Sequence, residues 1–68
     1  VNEIIFVVEE APEGGYVARA LSASIFTEAD DLAQLREAVR EAVGCHFEDS
    51  ERPAIIRLHF TREEVIAA

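Results

Sequence analysis

Cys45 and His46 stand side by side in a helical pattern, and a thiolate next to an imidazole base would be a nucleophile pair. Consecutive helix residues diverge by about 100°, however, so the two side chains do not face each other. Free cysteine is among the most buried residue types, which places Cys45 inside, and His46 is expected to complement the helix C-terminus. His59 and Glu63 would share a face if the last strand ran on, and with His46 they make a conceivable metal set. Their spacing matches no recognised ligand pattern. The acid pairs Glu9-Glu10, Asp30-Asp31 and Glu63-Glu64 fall at the ends of elements, where capping and solvation account for them. Gly14-Gly15 joins two strands instead of opening a helix, and neither the lysine nor the threonine of a phosphate loop follows it. No catalytic, cofactor-binding or metal-ligating residue is expected, and so no enzyme.

The elements that would position these residues follow from periodicity. Ile4-Ile5-Phe6-Val7-Val8 is rich in β-branched and aromatic residues and reads as a central strand, with Ile4, Phe6 and Val8 on one face and Ile5 and Val7 on the other. Ala11-Pro12-Glu13-Gly14-Gly15 is a hairpin signal, because proline presets one dihedral and the glycines accept positive φ. A second strand runs from Tyr16 to Leu21, alternating Tyr16, Ala18 and Ala20 against Val17, Arg19 and Leu21. After a break at Ser22-Ala23-Ser24, a third strand containing Ile25, Phe26 and Thr27 reads as an edge. Asp31 and Gln34 form a capping box for a helix whose stripe is Leu32, Leu35, Val39, Ala42, Val43 and His46 or Phe47. On its outer side Glu37 and Glu41 are expected to pair with Arg40 and Arg36. Glu48 to Pro53 is a solvated loop, followed by a strand with Ile56, Leu58 and Phe60 opposite Arg57, His59 and Thr61.

The fold class expected is α+β in the order βββαβ: three antiparallel strands, a fourth parallel to the first through a right-handed crossover, and one helix on one sheet face. Residues 1–68 are expected to form one domain. A chain of 68 residues buries only roughly 60% of its unfolded surface, so stability is marginal and external support is favoured. A single cysteine closes no internal disulfide and no structural zinc spacing is present. Association with another chain, a homo-oligomer included, is the support expected.

Fourteen acids against six bases, all arginine, give a net charge of −8. Such a surface repels phosphates and disfavours direct nucleic-acid binding, while it steers basic proteins toward it. The apolar runs are far shorter than the ~20 residues that cross a bilayer, and the N-terminus lacks a basic signal-peptide start. A cytoplasmic location without membrane attachment is expected.

One helix cannot cover both faces of a four-stranded sheet, yet the first strand is apolar on both. The second face therefore needs another cover, and exposed contiguous apolar surface on a small domain marks an interaction site. Ile5 and Val7, with Arg19, Arg57 and His59, are the candidate partner-binding residues.

The element order, the run Glu13-Gly14-Gly15-Tyr16-Val17-Ala18, and Thr27-Glu28-Ala29-Asp30-Asp31-Leu32 opening a helix that continues Ala33-Gln34-Leu35-Arg36-Glu37-Ala38 resemble the HicB-like antitoxin family. The resemblance spans nearly the whole chain. It implies a partial RNase H-like fold and a non-catalytic domain that covers a small basic toxin cleaving messenger RNA. An RNase H-type site would need a carboxylate within the first strand, and Ile4 to Val8 offers none. Members commonly carry a second, C-terminal operator-binding domain, and no segment of that kind is present in these 68 residues. Leu21-Ser22-Ala23-Ser24 stands where members often read Leu-Pro-Gly-Cys. The alternative is an orphan homo-oligomeric domain of the same fold, structural or binding a small ligand, without a toxin partner.

Overall fold

A computed structural model describes residues 2–68 and has four strands and one helix; Val1 lies outside the described residues. Strand β1 (Glu3–Glu10) forms a hairpin with β2 (Tyr16–Ala20), and β3 (Phe26–Ala29) pairs antiparallel with β2. Helix α1 (Leu32–His46) crosses over to β4 (Ile55–Phe60), which lies parallel to β1. The sheet order is β3-β2-β1-β4, so the βββαβ expectation is borne out, with β3 and β4 at the two edges.

The hairpin turns where proline and glycine predict it. Gly14 N–H donates to Ala11 O and Ala11 N–H to Gly15 O, each at 3.0 Å. Gly14 and Gly15 sit at φ +103 and +83, a region that excludes most side chains. Gly15 has a second constraint, since a Cβ there would lie 2.8 Å from the carbonyl oxygen of Ala29 as β3 passes.

The third strand begins one residue later than expected and runs further. Ile25 is not a ladder residue: its side chain turns into the core, its N–H donates to Ala23 O at 2.9 Å, and its carbonyl accepts from Ala20 N–H at 3.0 Å. It closes the bend that Ser22 and Ser24 open. The second strand ends at Ala20, so Leu21 lies just past it.

Asp31 caps α1 by accepting from Gln34 N–H at 2.7 Å, which satisfies one of the free amides of the first turn. Of the two ion pairs expected on its outer side, Glu37 and Arg40 meet, but Arg36 and Glu41 do not. Five residues separate the latter, a rotation of roughly 140° net, which puts them on different sides of the helix. After α1, Arg52 binds Asp49 at 2.7 Å, and Asn2 holds the entry to β4 by accepting from Ala54 N–H and Ile55 N–H at 3.1 and 3.2 Å. That clamp starts β4 at Ile55.

The core lies between α1 and one sheet face. Phe6, Val8, Leu35, Val39 and Val43 are fully buried, with Ile4, Ala18, Ala20 and Ile25 around them. Each of the large aliphatics and the phenyl ring contributes about 1.5–3 kcal/mol by leaving water. The helix sits chiefly over β2 and β3, leaving Ile56 and Leu58 of β4 half-buried beside it. Among the described residues no helix is long and apolar enough to cross a membrane.

Candidate functional site

Strand alternation decides what lies on the sheet face away from α1. On β1, Ile4, Phe6 and Val8 enter the core, so Glu3, Ile5, Val7 and Glu9 take the opposite side. Cross-strand register then adds the neighbours. Val7 lies between Arg19 of β2 and His59 of β4, and Ile5 lies beside Arg57. All five candidate residues, Ile5, Val7, Arg19, Arg57 and His59, thus occupy one face. The same register adds Val17 beside Glu9, Ile55 beside Glu3, and Phe26 and Glu28 of β3 beside Arg19 and Val17.

The centre of this open face is not bare. Ile5, Val7 and Val17 are half-buried without any helix over them. Register flanks them with the long side chains of Arg19 and Arg57, a residue type whose apolar stem can lie along neighbouring surface while its head stays in water. The heads are held in place. Arg57 binds Glu3 through Nε and Nη2 at 3.1 and 3.2 Å, and Arg19 reaches Glu9 at 3.9 Å. The hydrogen bond from Arg57 holds the Glu3 carboxyl below its ordinary range, and Glu3 in turn raises Arg57. The bare apolar surface lies at the margins instead: Phe26 and Ile55 on the face, 62% and 53% exposed, and Leu21 just past β2 at 62%.

Near the hairpin end, an open cavity of about 670 Å³ is lined by Tyr16, Val17 and Gln34 together with Glu13, Glu28 and Asp30. Of the three carboxylates Glu28 lies on the open face, while Glu13 stands in the hairpin turn and Asp30 just past β3, so they form an acidic rim around the hairpin end of the β3 edge. This rim escaped the sequence reasoning because it depends on β3 running to Ala29, beside the turn.

The residues weighed for chemistry are scattered. Cys45 is exposed, against the expectation of burial, because it stands six positions past Val39 and thus about 120° around the helix from the middle of the buried stripe. His46 packs edge-to-face on Phe47 at 4.8 Å. His59 is on the open face, and β4 stops at Phe60, so Glu63 does not continue that strand. No group of three His, Cys, Asp or Glu side chains among the described residues is placed to hold a metal. Strand β1 is longer than Ile4–Val8 and does carry glutamates at its ends, of which Glu3 is engaged by Arg57 and Glu9 by Arg19.

No family model matches the chain, and no solved structure matches it. Two relatives do. A UPF0150 protein of Archaeoglobus fulgidus is 53% identical over 55 residues, covering 81% of this chain and 82% of the relative. A UPF0150 protein of Thermotoga maritima is 36% identical over 66 residues, covering 97% of this chain and 93% of the relative. With identity of this level along most of both partners, the chain belongs to the UPF0150 protein family.

Proposed function

We propose that this chain is a non-catalytic protein-binding module of the HicB-antitoxin type, and that its open sheet face engages a small basic RNA-cleaving toxin. The observation that carries it is the exposed apolar margin of a face that folding leaves uncovered: Phe26, Ile55 and the adjacent Leu21. Large exposed side chains around a half-covered centre supply the anchors of an interface, and the paired arginines supply its ordered polar part. The acid excess of the chain and the carboxylates of Glu13, Glu28 and Asp30 favour a basic partner. The scatter of Cys45, His46 and His59 supports the non-catalytic assignment. An alternative is the orphan homo-oligomeric domain of the same fold, structural or taking a small ligand. It is favoured by the open cavity at the hairpin end, which a small molecule would enter without a toxin being present.

The test is co-expression with the product of a short basic reading frame adjoining this gene. The antitoxin function predicts a stable complex that protects RNA from cleavage and is lost in Phe26→Asp. A host without such a frame, or a complex indifferent to Phe26→Asp, contradicts it.

A further inference from the structure

Away from the open face, the free edge of β4 and the residues that follow it are complementary. The hydrogen bonds from Ile55 N–H to Asn2 O and from Thr61 N–H to Val8 O fix the phase of the parallel ladder. Ile55, Arg57, His59 and Thr61 turn their amides toward β1, so Ile56, Leu58 and Phe60 turn theirs to the outer edge. Ile55–Phe60 contains no lysine, proline or bulge, and its one arginine, Arg57, is turned to the open face and paired with Glu3. Beside it, between β4 and α1, runs a groove of about 510 Å³ with Val39, Ala54, Ile56 and Leu58 as its apolar lining and Arg36 and Arg40 as its charges.

The segment after β4 has the inverse character. Residues 61–68 have no regular structure and are exposed, with Val65 and Ile66 at 91% and 79%. Glu63 and Glu64 precede them. Acids followed by aliphatics thus stand free on a molecule whose groove holds aliphatics beside arginines. Folding back onto its own edge would require a tight reversal within Thr61-Arg62-Glu63-Glu64, which contains no glycine, proline, asparagine or aspartate. The edge of a second copy needs no reversal.

We propose that residues 62–66 of one copy add as an antiparallel strand to the free edge of β4 in a second copy, reciprocally across a two-fold axis, so that two sheets become one. Opposed residues of an antiparallel pair share a face, and the outward amides of Ile56, Leu58 and Phe60 select even-numbered partners. Arg62, Glu64 and Ile66 therefore fall on the helix side. Ile66 meets the floor at Ile56 and Leu58, and Glu64 meets Arg36 and Arg40. Glu63 and Val65 fall on the other side, among Ile55, Arg57 and His59. The site is incomplete without the second copy; it shares Ile55 with the margin of the open face, but its test is distinguishable from that of the toxin-binding function, whose test residue Phe26 is at the opposite edge of the sheet.

Sedimentation velocity on the whole chain tests this. The wild type is expected to dimerise at micromolar concentration. Glu64→Arg with Ile66→Asp should weaken the dimer at least about tenfold, as should Arg36→Glu with Arg40→Glu. All four positions are exposed, so circular dichroism should be unchanged in the tail variant and at most slightly reduced in the helix variant, which loses the Glu37–Arg40 pair. Combining Glu64→Arg with Arg36→Glu and Arg40→Glu should restore most of the lost affinity, because the charges are exchanged and the apolar contact is kept. A monomeric wild type, a dimer indifferent to the tail variants, or a charge exchange that fails to restore association would each overturn the proposal.

Discussion

Ile4, Phe6 and Val8 on one side of β1 and Ile5 and Val7 on the other are chemically near-equivalent, yet their surroundings differ completely. The first three are 2%, 0% and 1% exposed under α1, whereas the second pair is half-buried among arginine and histidine side chains. Hydrophobicity therefore does not say which face is core; the single amphipathic helix does. The covered face holds the fold together, and the open face is left without a helix over it.

The largest expected effect is on the covered side. Phe6→Ala should cost about 3–5 kcal/mol, comparable with the total stability of a domain this size, and chemical denaturation should find it largely unfolded. Val7→Ala, one residue away on the open side, should cost about 1 kcal/mol. Equal losses would abolish the distinction between the faces. Gly15→Ala should cost more than about 1 kcal/mol, from positive φ and from the Ala29 carbonyl together. Gly14→Ala meets only the first of these and should cost less, and thermal melts of the two would rank them. Asp31→Ala removes the cap of the helix that covers the core, with a loss of about 1 kcal/mol in the same melts.

The smallest effect concerns the ion pair on the open side. The Glu3 carboxyl is held below its ordinary value, so its contribution is present above the unfolded value and disappears as pH falls through the lowered one. Glu3→Gln should leave a slightly less stable protein at neutral pH and flatten the acid limb of the stability profile. The change should be small because the pair is solvated and salt screens it.

Much of this architecture was legible in the residues. Period-two alternation separated Phe6 from Val7, Pro12 with Gly14 and Gly15 marked the hairpin, and Asp31 marked the helix start. Those signals are local. What was not legible depended on neighbours distant in sequence. Ile25 has the composition of a strand residue, but its backbone bonds close a bend and its side chain fills the core. Phe26 and Ile55 join the open face only through their register with Arg19 and Glu3, and Arg57 finds Glu3 across 54 positions of sequence. Arg19, Arg57 and His59 share one face with Ile5 and Val7, both arginines pair with β1 glutamates, and the most exposed apolar side chains lie at the margin of that face. For Cys45, the average behaviour of cysteine gave the wrong side, because the position of a residue around the helix decides its burial.

The division between a folding face and a recognition face is tested most directly by isothermal titration of the wild type and Phe26→Asp with the product of the adjoining short basic reading frame, each variant checked by thermal melt. The expected result is a melting temperature nearly unchanged, since surface substitutions stay within about 0.5 kcal/mol, together with an affinity reduced by at least about tenfold. Equal affinities for the two proteins, or no binding by the wild type, would contradict the assignment of the open face to a partner.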